Sequence, residues 1–262
     1  MSYRFADEPL RIGGREIRNR FFLGTGKFGS KELMAETIAA CGAEVVTIAL
    51  RRAEPMSAPG SLLDFIPPGI IRMVNTSGAR NAREAVRMAR LAREAGMGNW
   101  IKVEVIDDGK YLLPDNTETI RATEILAGEG FVALPYMSPD LYVARNLVRA
   151  GAAALMPLGS LIGSGRGLKT ADFIAIMLAE TDLPVIVDAG LGRPSHAAEA
   201  MEMGAAAVLA NTAIAAAEDP ARAARAFALA VEAGRAAFLA GFLEERAEAS
   251  ASSPLDRLPF ER

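Results

Sequence analysis

Short apolar runs and amphipathic segments take turns along nearly the whole chain. Runs with strand character occupy residues 21–27, 44–51, 70–76, 100–106, 131–137, 153–159, 184–190 and 206–212. They are rich in Val, Ile, Leu and Ala and are shorter than an ordinary helix. The segments between them carry a helical period: in 80–95, Ala82, Ala85, Val86 and Ala89 share one stripe and arginines fill the other face. Ser138–Pro139 has the form of an N-cap followed by Pro at the first helical position. Gly42, Gly96, Gly130, Gly151 and Gly204 stand where helices end before the next strand.

Strand and helix alternating eight times, with no linker-like shift in composition, predict an α/β fold: a single (β/α)8 TIM barrel. An open doubly wound sheet is the rival. It calls for a Gly-rich turn after its first strand, and Gly24–Thr25–Gly26 stands there. Phe28 and Gly29 leave the GxGxxG pattern incomplete, which favours the barrel. Residues 10–20 read as a hairpin around Gly13–Gly14 that covers the barrel's N-terminal end. Residues 53–69 are Pro-rich where a second helix is due, and only Leu62–Leu63–Asp64–Phe65 has an ordered pattern, so a mobile loop beside the site is expected. Beyond Gly241 the chain turns charged and Ser/Ala-rich, which divides it into a barrel domain, 1–241, and a loose tail, 242–262.

Composition narrows the function classes. The 262 residues suit one barrel, and a net charge of -3 with both signs interspersed gives no surface for nucleic acid or an anionic membrane. The N-terminus lacks an apolar signal core, and no apolar run approaches the ~20 residues of a membrane span, so the expectation is a soluble cytoplasmic protein. The one cysteine, Cys41, lies in an apolar helical run and reads as a small packed residue. No His/Cys/Asp cluster has metal-ligand spacing.

In a barrel, chemistry collects at the C-terminal ends of the strands. In the fourth run, alternation sends Ile101, Val103 and Val105 one way and Lys102, Glu104 and Ile106 the other. The apolar set suits the helix layer, leaving Lys102 and Glu104 for the interior. They are either a mutually satisfied pair or a working amine and carboxylate. Asp188 ends the seventh run and adds a second carboxylate at the same rim. A lysine with two carboxylates in reach suits imine chemistry on a ketone, and equally a plain charge network.

Glycines concentrate after the last three strands, in Gly159–Ser160–Leu161–Ile162–Gly163–Ser164–Gly165–Arg166–Gly167 and in Ala189–Gly190–Leu191–Gly192, with Asn211–Thr212 after the eighth. Such loops let backbone N–H groups approach a phosphate, although any one glycine serves a tight turn equally well. His196 reads as a solvated helix-start residue, Trp100 as packing, and Arg51–Arg52 as a solvated pair placed where an anion could also meet it.

Assembled in order, these segments resemble bacterial thiazole synthase, the barrel enzyme that forms the thiazole phosphate of thiamin. The likeness spans about Leu10 to Leu239. It rests on Gly24–Thr25–Gly26–Lys27, Val46–Thr47–Ile48–Ala49–Leu50–Arg51–Arg52, Asn75–Thr76–Ser77–Gly78 and Asn99–Trp100–Ile101–Lys102–Val103–Glu104–Val105–Ile106. Further along it rests on Pro157–Leu158–Gly159–Ser160–Leu161–Ile162–Gly163–Ser164–Gly165, Val187–Asp188–Ala189–Gly190 and Leu209–Ala210–Asn211–Thr212–Ala213. The resemblance implies a Schiff base between Lys102 and 1-deoxy-D-xylulose 5-phosphate, and acid/base roles for Glu104 and Asp188. It also implies substrate contacts at Gly159, Ala189, Gly190, Asn211 and Thr212. Dehydroglycine (2-iminoacetate) as co-substrate, sulfur from a small thiocarboxylated carrier protein, a homo-oligomer such as a tetramer, and no metal or organic cofactor belong to the same implication. Ser77, Ala79, Leu161 and Arg166 depart from the family pattern, and Arg166 stands where it could alter phosphate affinity. A class I aldolase or isomerase of a phosphosugar, and a non-catalytic barrel that scaffolds the carrier, are the alternatives.

Overall fold

A computed structural model of the chain describes residues 7–49, 60–243, 246–249 and 252. It opens with an antiparallel hairpin, β1 (Leu10–Ile12) and β2 (Arg15–Ile17). Gly13 and Gly14 form its turn with φ of 53° and 75°, the left-handed pair that a tight hairpin turn needs. Eight parallel strands follow: β3 (Phe21–Gly24), β4 (Val45–Ala49), β5 (Ile71–Asn75), β6 (Trp100–Val103), β7 (Val132–Met137), β8 (Met156–Pro157), β9 (Ile186–Val187) and β10 (Ala207–Ala210). The expected barrel and hairpin are both present.

The strands pair in the order β8-β7-β6-β5-β4-β3-β10-β9. The ring closes through parallel bridges between Leu155 and Val185 and between Leu158 and Asp188. At that seam Ile186 N donates to Leu155 O (2.8 Å) and Asp188 N to Pro157 O (3.0 Å). Asp188 is therefore a seam residue as well as a rim residue.

Helices α1 (Lys31–Cys41), α2 (Ala82–Glu94), α3 (Asn116–Gly128), α4 (Leu141–Arg149), α5 (Ala171–Glu180), α6 (Pro194–Glu202), the short α7 (Thr212–Ala215) and α8 (Pro220–Ala240) form the outer layer. The predicted stripe on α2 is buried, and the five helix-end glycines all have positive φ. The start of α4 differs from expectation. Its N-cap is Asp140, whose carboxylate accepts from Val143 N at 2.9 Å, and Ser138–Pro139 precedes it. A carboxylate two residues further along meets the unpaired helix N–H groups better than the serine can. The Ser-Pro pair gave the wrong start by position, although Pro does open α6 and α8.

Between β4 and β5 the described chain carries a 3-10 turn at Leu62–Phe65. The rim pair Arg51–Arg52 and residues 53–59 of the segment expected to be mobile lie outside the described residues, whereas residues 60–69 are described. Among the described residues no helix is long and apolar enough to cross a membrane. Cys41 is buried on α1, as expected, with its thiol pushed up by burial.

Strand alternation divides the apolar residues between the two faces of the sheet. Outward residues such as Ile101, Val103 and Val105 join the helices in the larger cluster. Inward residues such as Phe22, Trp100, Leu134 and Met156 form a second cluster, and it includes Leu10, Ile12 and Ile17 of the hairpin. The hairpin thus seals the barrel's N-terminal end and keeps water from the floor of the interior. Ile17→Ala leaves a hole in that seal and is expected to cost about 2–4 kcal/mol in chemical denaturation. A change below ~0.5 kcal/mol would show the hairpin to be a surface ornament.

Candidate active site

Above the apolar floor, the inward positions turn polar. On β6 Trp100 packs into the floor, and Lys102 and then Glu104 stand above it on the same face. Lys102, Glu104 and Asp188 are 5%, 4% and 3% exposed. Lys102 Nζ contacts Asp188 Oδ2 directly and lies 3.5 Å from Glu104 Oε2. The three predicted catalytic residues form one cluster, drawn from β6 and from β9, three strands further round the ring.

Neighbouring strands hold the cluster. Asn75, at the end of β5, donates from Nδ2 to Glu104 Oε2 at 3.1 Å. Thr76 Oγ1 donates to Glu104 O (2.9 Å) and accepts from Glu104 N (2.8 Å), fixing the backbone beneath that carboxylate. Tyr136, inward on β7 and fully buried, places its ring centroid 5.1 Å from Lys102 Nζ, and its hydroxyl finds no hydrogen-bond partner among the described residues. Burial and the charges of Asp188 and Glu104 raise its pKa, so the phenol stays neutral.

Burial favours the neutral amine of Lys102, but the charges of Asp188 and Glu104 outweigh it and hold the pKa above the ordinary lysine value. Desolvation alone therefore does not free the amine. Burial raises Asp188 above the usual carboxylate range even against the pull of Lys102. The cluster thus joins a protonated amine to a carboxylate with unusual appetite for a proton.

A cavity of about 520 Å³ opens onto the cluster at the C-terminal ends of the strands. Ala189, Gly190, Asn211 and Thr212 line it, together with Ile162–Gly165. Ala189 has φ 59°, which costs a residue with a Cβ, and Gly190 follows with φ 76°. A Cβ on Gly190 would stand 1.9 Å from Ser160 Oγ, so only glycine lets the two loops meet. Gly159 does not line the cavity: its N–H donates to Asp188 O at 2.9 Å, in the seam. Asn211 lines it; with its amide oriented so that the NH2 group, not the oxygen, faces the two carbonyls, it donates to Gly24 O (3.0 Å) and Gly26 O (2.8 Å) at the end of β3 and in the loop that follows.

Sequence reasoning passed over several residues here. Lys27 and Ser77 line the cavity, and Asn75 and Tyr136 touch the cluster. Asn75 and Tyr136 could have been found by extending the alternation used on β6 to the ends of β5 and β7. His196 is not simply solvated. It is half-buried, accepts from Gly192 N on Nδ1 (3.1 Å), and its ring lies against Gly167, tying the loops after β8 and β9 together. Among the described residues no three His, Cys, Asp or Glu side chains gather as a metal site.

A closed barrel whose mouth joins a buried amine, two carboxylates and close-packed glycine loops has the layout of an enzyme acting on a small polar substrate. The family described as Thiazole biosynthesis protein ThiG matches residues 11–254. The thiazole synthase of Pelotomaculum thermopropionicum is 64% identical over 95% of this chain and 97% of that protein. That of Moorella thermoacetica is 62% identical over 95% and 98%. Among solved structures, the Amycolatopsis orientalis BexX/CysO complex contains a chain 36% identical, with a TM-score of 0.82, covering 92% of this chain and all of that one. The chain belongs to the ThiG family of thiazole synthases, biosynthetic enzymes of the thiamine pathway.

Asp188→Asn removes the nearest negative charge from Lys102. A negative neighbour stabilises the ammonium, so its loss lets burial lower the pKa. The pH midpoint for carbamylation of Lys102 by cyanate, read by mass spectrometry, is expected to fall by about one unit or more. A midpoint that stays or rises would show that Asp188 does not hold this charge.

Proposed function

We propose that the protein condenses 1-deoxy-D-xylulose 5-phosphate, dehydroglycine and sulfur from a thiocarboxylated carrier protein into the thiazole phosphate of thiamin, through a Schiff base on Lys102. The observation that carries this reading is the buried Lys102 ammonium held against Asp188 at the cavity floor. The similar BexX chain was solved in complex with a second protein, CysO, which supports a protein partner for this chain too. Working as a homo-oligomer in the cytoplasm is part of the same proposal.

In this mechanism the phosphate enters the mouth of the cavity and the ketone reaches Lys102. Asp188, whose proton affinity burial has raised, takes the ammonium proton, and the free amine adds to the carbonyl carbon. The carbinolamine then loses its hydroxyl as water, with the proton returned by Asp188. The resulting iminium draws electrons from the neighbouring carbon, whose proton passes to Glu104, and the carbonyl migrates along the chain. The thiocarboxylate sulfur attacks the new carbonyl, the carrier's acyl group shifts from that sulfur to the alkoxide oxygen, and the carrier leaves as its carboxylate, taking that oxygen. The sulfur then adds to the imine carbon of dehydroglycine, whose nitrogen displaces the Lys102 amine as the ring closes. Tyr136 and the hairpin floor keep the cluster dry, so the proton moves between these groups and not to bulk water.

Reconstitution tests the reading. The purified protein with the ketose phosphate, dehydroglycine and thiocarboxylated carrier is expected to release thiazole phosphate, and Lys102→Ala to release none while staying folded. Asp188→Asn is expected to slow turnover about 100-fold although its amine is easier to deprotonate, because the proton carrier is gone. Full turnover by Lys102→Ala, or faster turnover by Asp188→Asn, contradicts the mechanism.

A further inference from the structure

Among the described residues, the charged side chains lining the cavity are Lys27, Lys102, Glu104 and Asp188. Lys102, Glu104 and Asp188 make up the buried cluster, and with the amine protonated their charges sum to about -1. A phosphomonoester brings a further charge of roughly -1.5 to -2 at neutral pH. Glycine loops supply amide dipoles but no full charge, so a phosphorylated substrate is repelled by the very cluster it must reach. A cation is needed on the phosphate side of the cavity. Arg166 and Lys169, on the loop after β8, do not line the cavity and are exposed.

Lys27 does line it. It follows β3, which pairs with β10, and its Nζ lies 3.5 Å from Thr212 Oγ1 at the start of α7, just after β10. Its φ of 70° is a left-handed conformation that a lysine adopts only at a cost, and the chain keeps it at the cavity rim. No carboxylate among the described residues forms an ion pair with it, so its charge is available to a ligand. The β3 loop that carries it is pinned by Asn211 through Gly24 and Gly26, which sets Lys27 and Thr212 at a fixed separation.

We propose that Lys27 is the phosphate-binding cation of the substrate site and the residue by which the enzyme selects a phosphorylated ketose over its unphosphorylated counterpart. The proposal rests on the Schiff-base reading above and adds to it the source of selectivity. The ammonium offsets part of the phosphate charge from the rim, on the side away from the cluster, and leaves Lys102 to react. Because Lys27 is exposed, its attraction weakens as salt rises.

Borohydride trapping of the protein–ketose adduct, followed by intact mass, tests this with 1-deoxy-D-xylulose 5-phosphate and 1-deoxy-D-xylulose in parallel. Lys27→Gln is expected to raise the half-saturating concentration of the phosphorylated ketose about tenfold or more, with the same trapped fraction at saturation. The unphosphorylated ketose is expected to be trapped equally by both proteins, Lys27→Arg to recover most of the affinity, and inorganic phosphate to compete less well against Lys27→Gln. An unchanged half-saturation for the phosphorylated ketose, or equal weakening of both ketoses, overturns the role of Lys27. Failure of the unaltered protein to trap either ketose overturns the Schiff-base reading itself.

Discussion

Lys102 carries its charge where a lone ammonium would cost several kcal/mol, a large part of what holds a domain folded. It stays because Asp188 touches it and Glu104 stands 3.5 Å away. Each of those carboxylates would itself be costly in that place without the lysine. The three groups are therefore interdependent, and the top of the barrel has to be built so that two strands that do not touch, β6 and β9, deliver them to one point. The seam between β8 and β9 matters for the same reason, since the backbone bridge at Asp188 both closes the barrel and fixes the carboxylate.

The rest of the molecule keeps this cluster dry below and reachable above. The hairpin, with Ile12 and Ile17 turned inward, continues the apolar floor on which Trp100 packs. Over the cluster, small residues let three loops approach one another and the cavity. His196 braces two of these loops and Asn211 ties a third to the first barrel strand. A site assembled this way holds charges at fixed separations before any ligand enters, which is what electrostatic work on a substrate requires.

Alternation made the barrel legible. Short apolar runs marked every strand, and on β6 the change from Trp100 to Lys102 and Glu104 marked the passage from floor to site. Asp188 was legible as the polar end of an apolar strand. What escaped lay where side-chain geometry, not periodicity, decides. Asp140 caps α4 because its carboxylate reaches a backbone N–H that Ser138 does not meet. Gly159 turned out to spend its N–H on the seam, and His196 to brace loops brought together only by the closed ring. Lys27 follows a short strand in a Gly-rich turn, and nothing local announces that β3 and β10 are neighbours. That adjacency exists only once the barrel has closed.

The central claim is that the buried amine of Lys102 is the nucleophile, distinct from Lys27 in the same cavity. The direct measurement is peptide mapping of the protein after borohydride reduction with 1-deoxy-D-xylulose 5-phosphate. The ketose mass is expected on the peptide containing Lys102, with Lys27 unmodified. The mass on Lys27, or spread over the surface lysines with Lys102 bare, would contradict it.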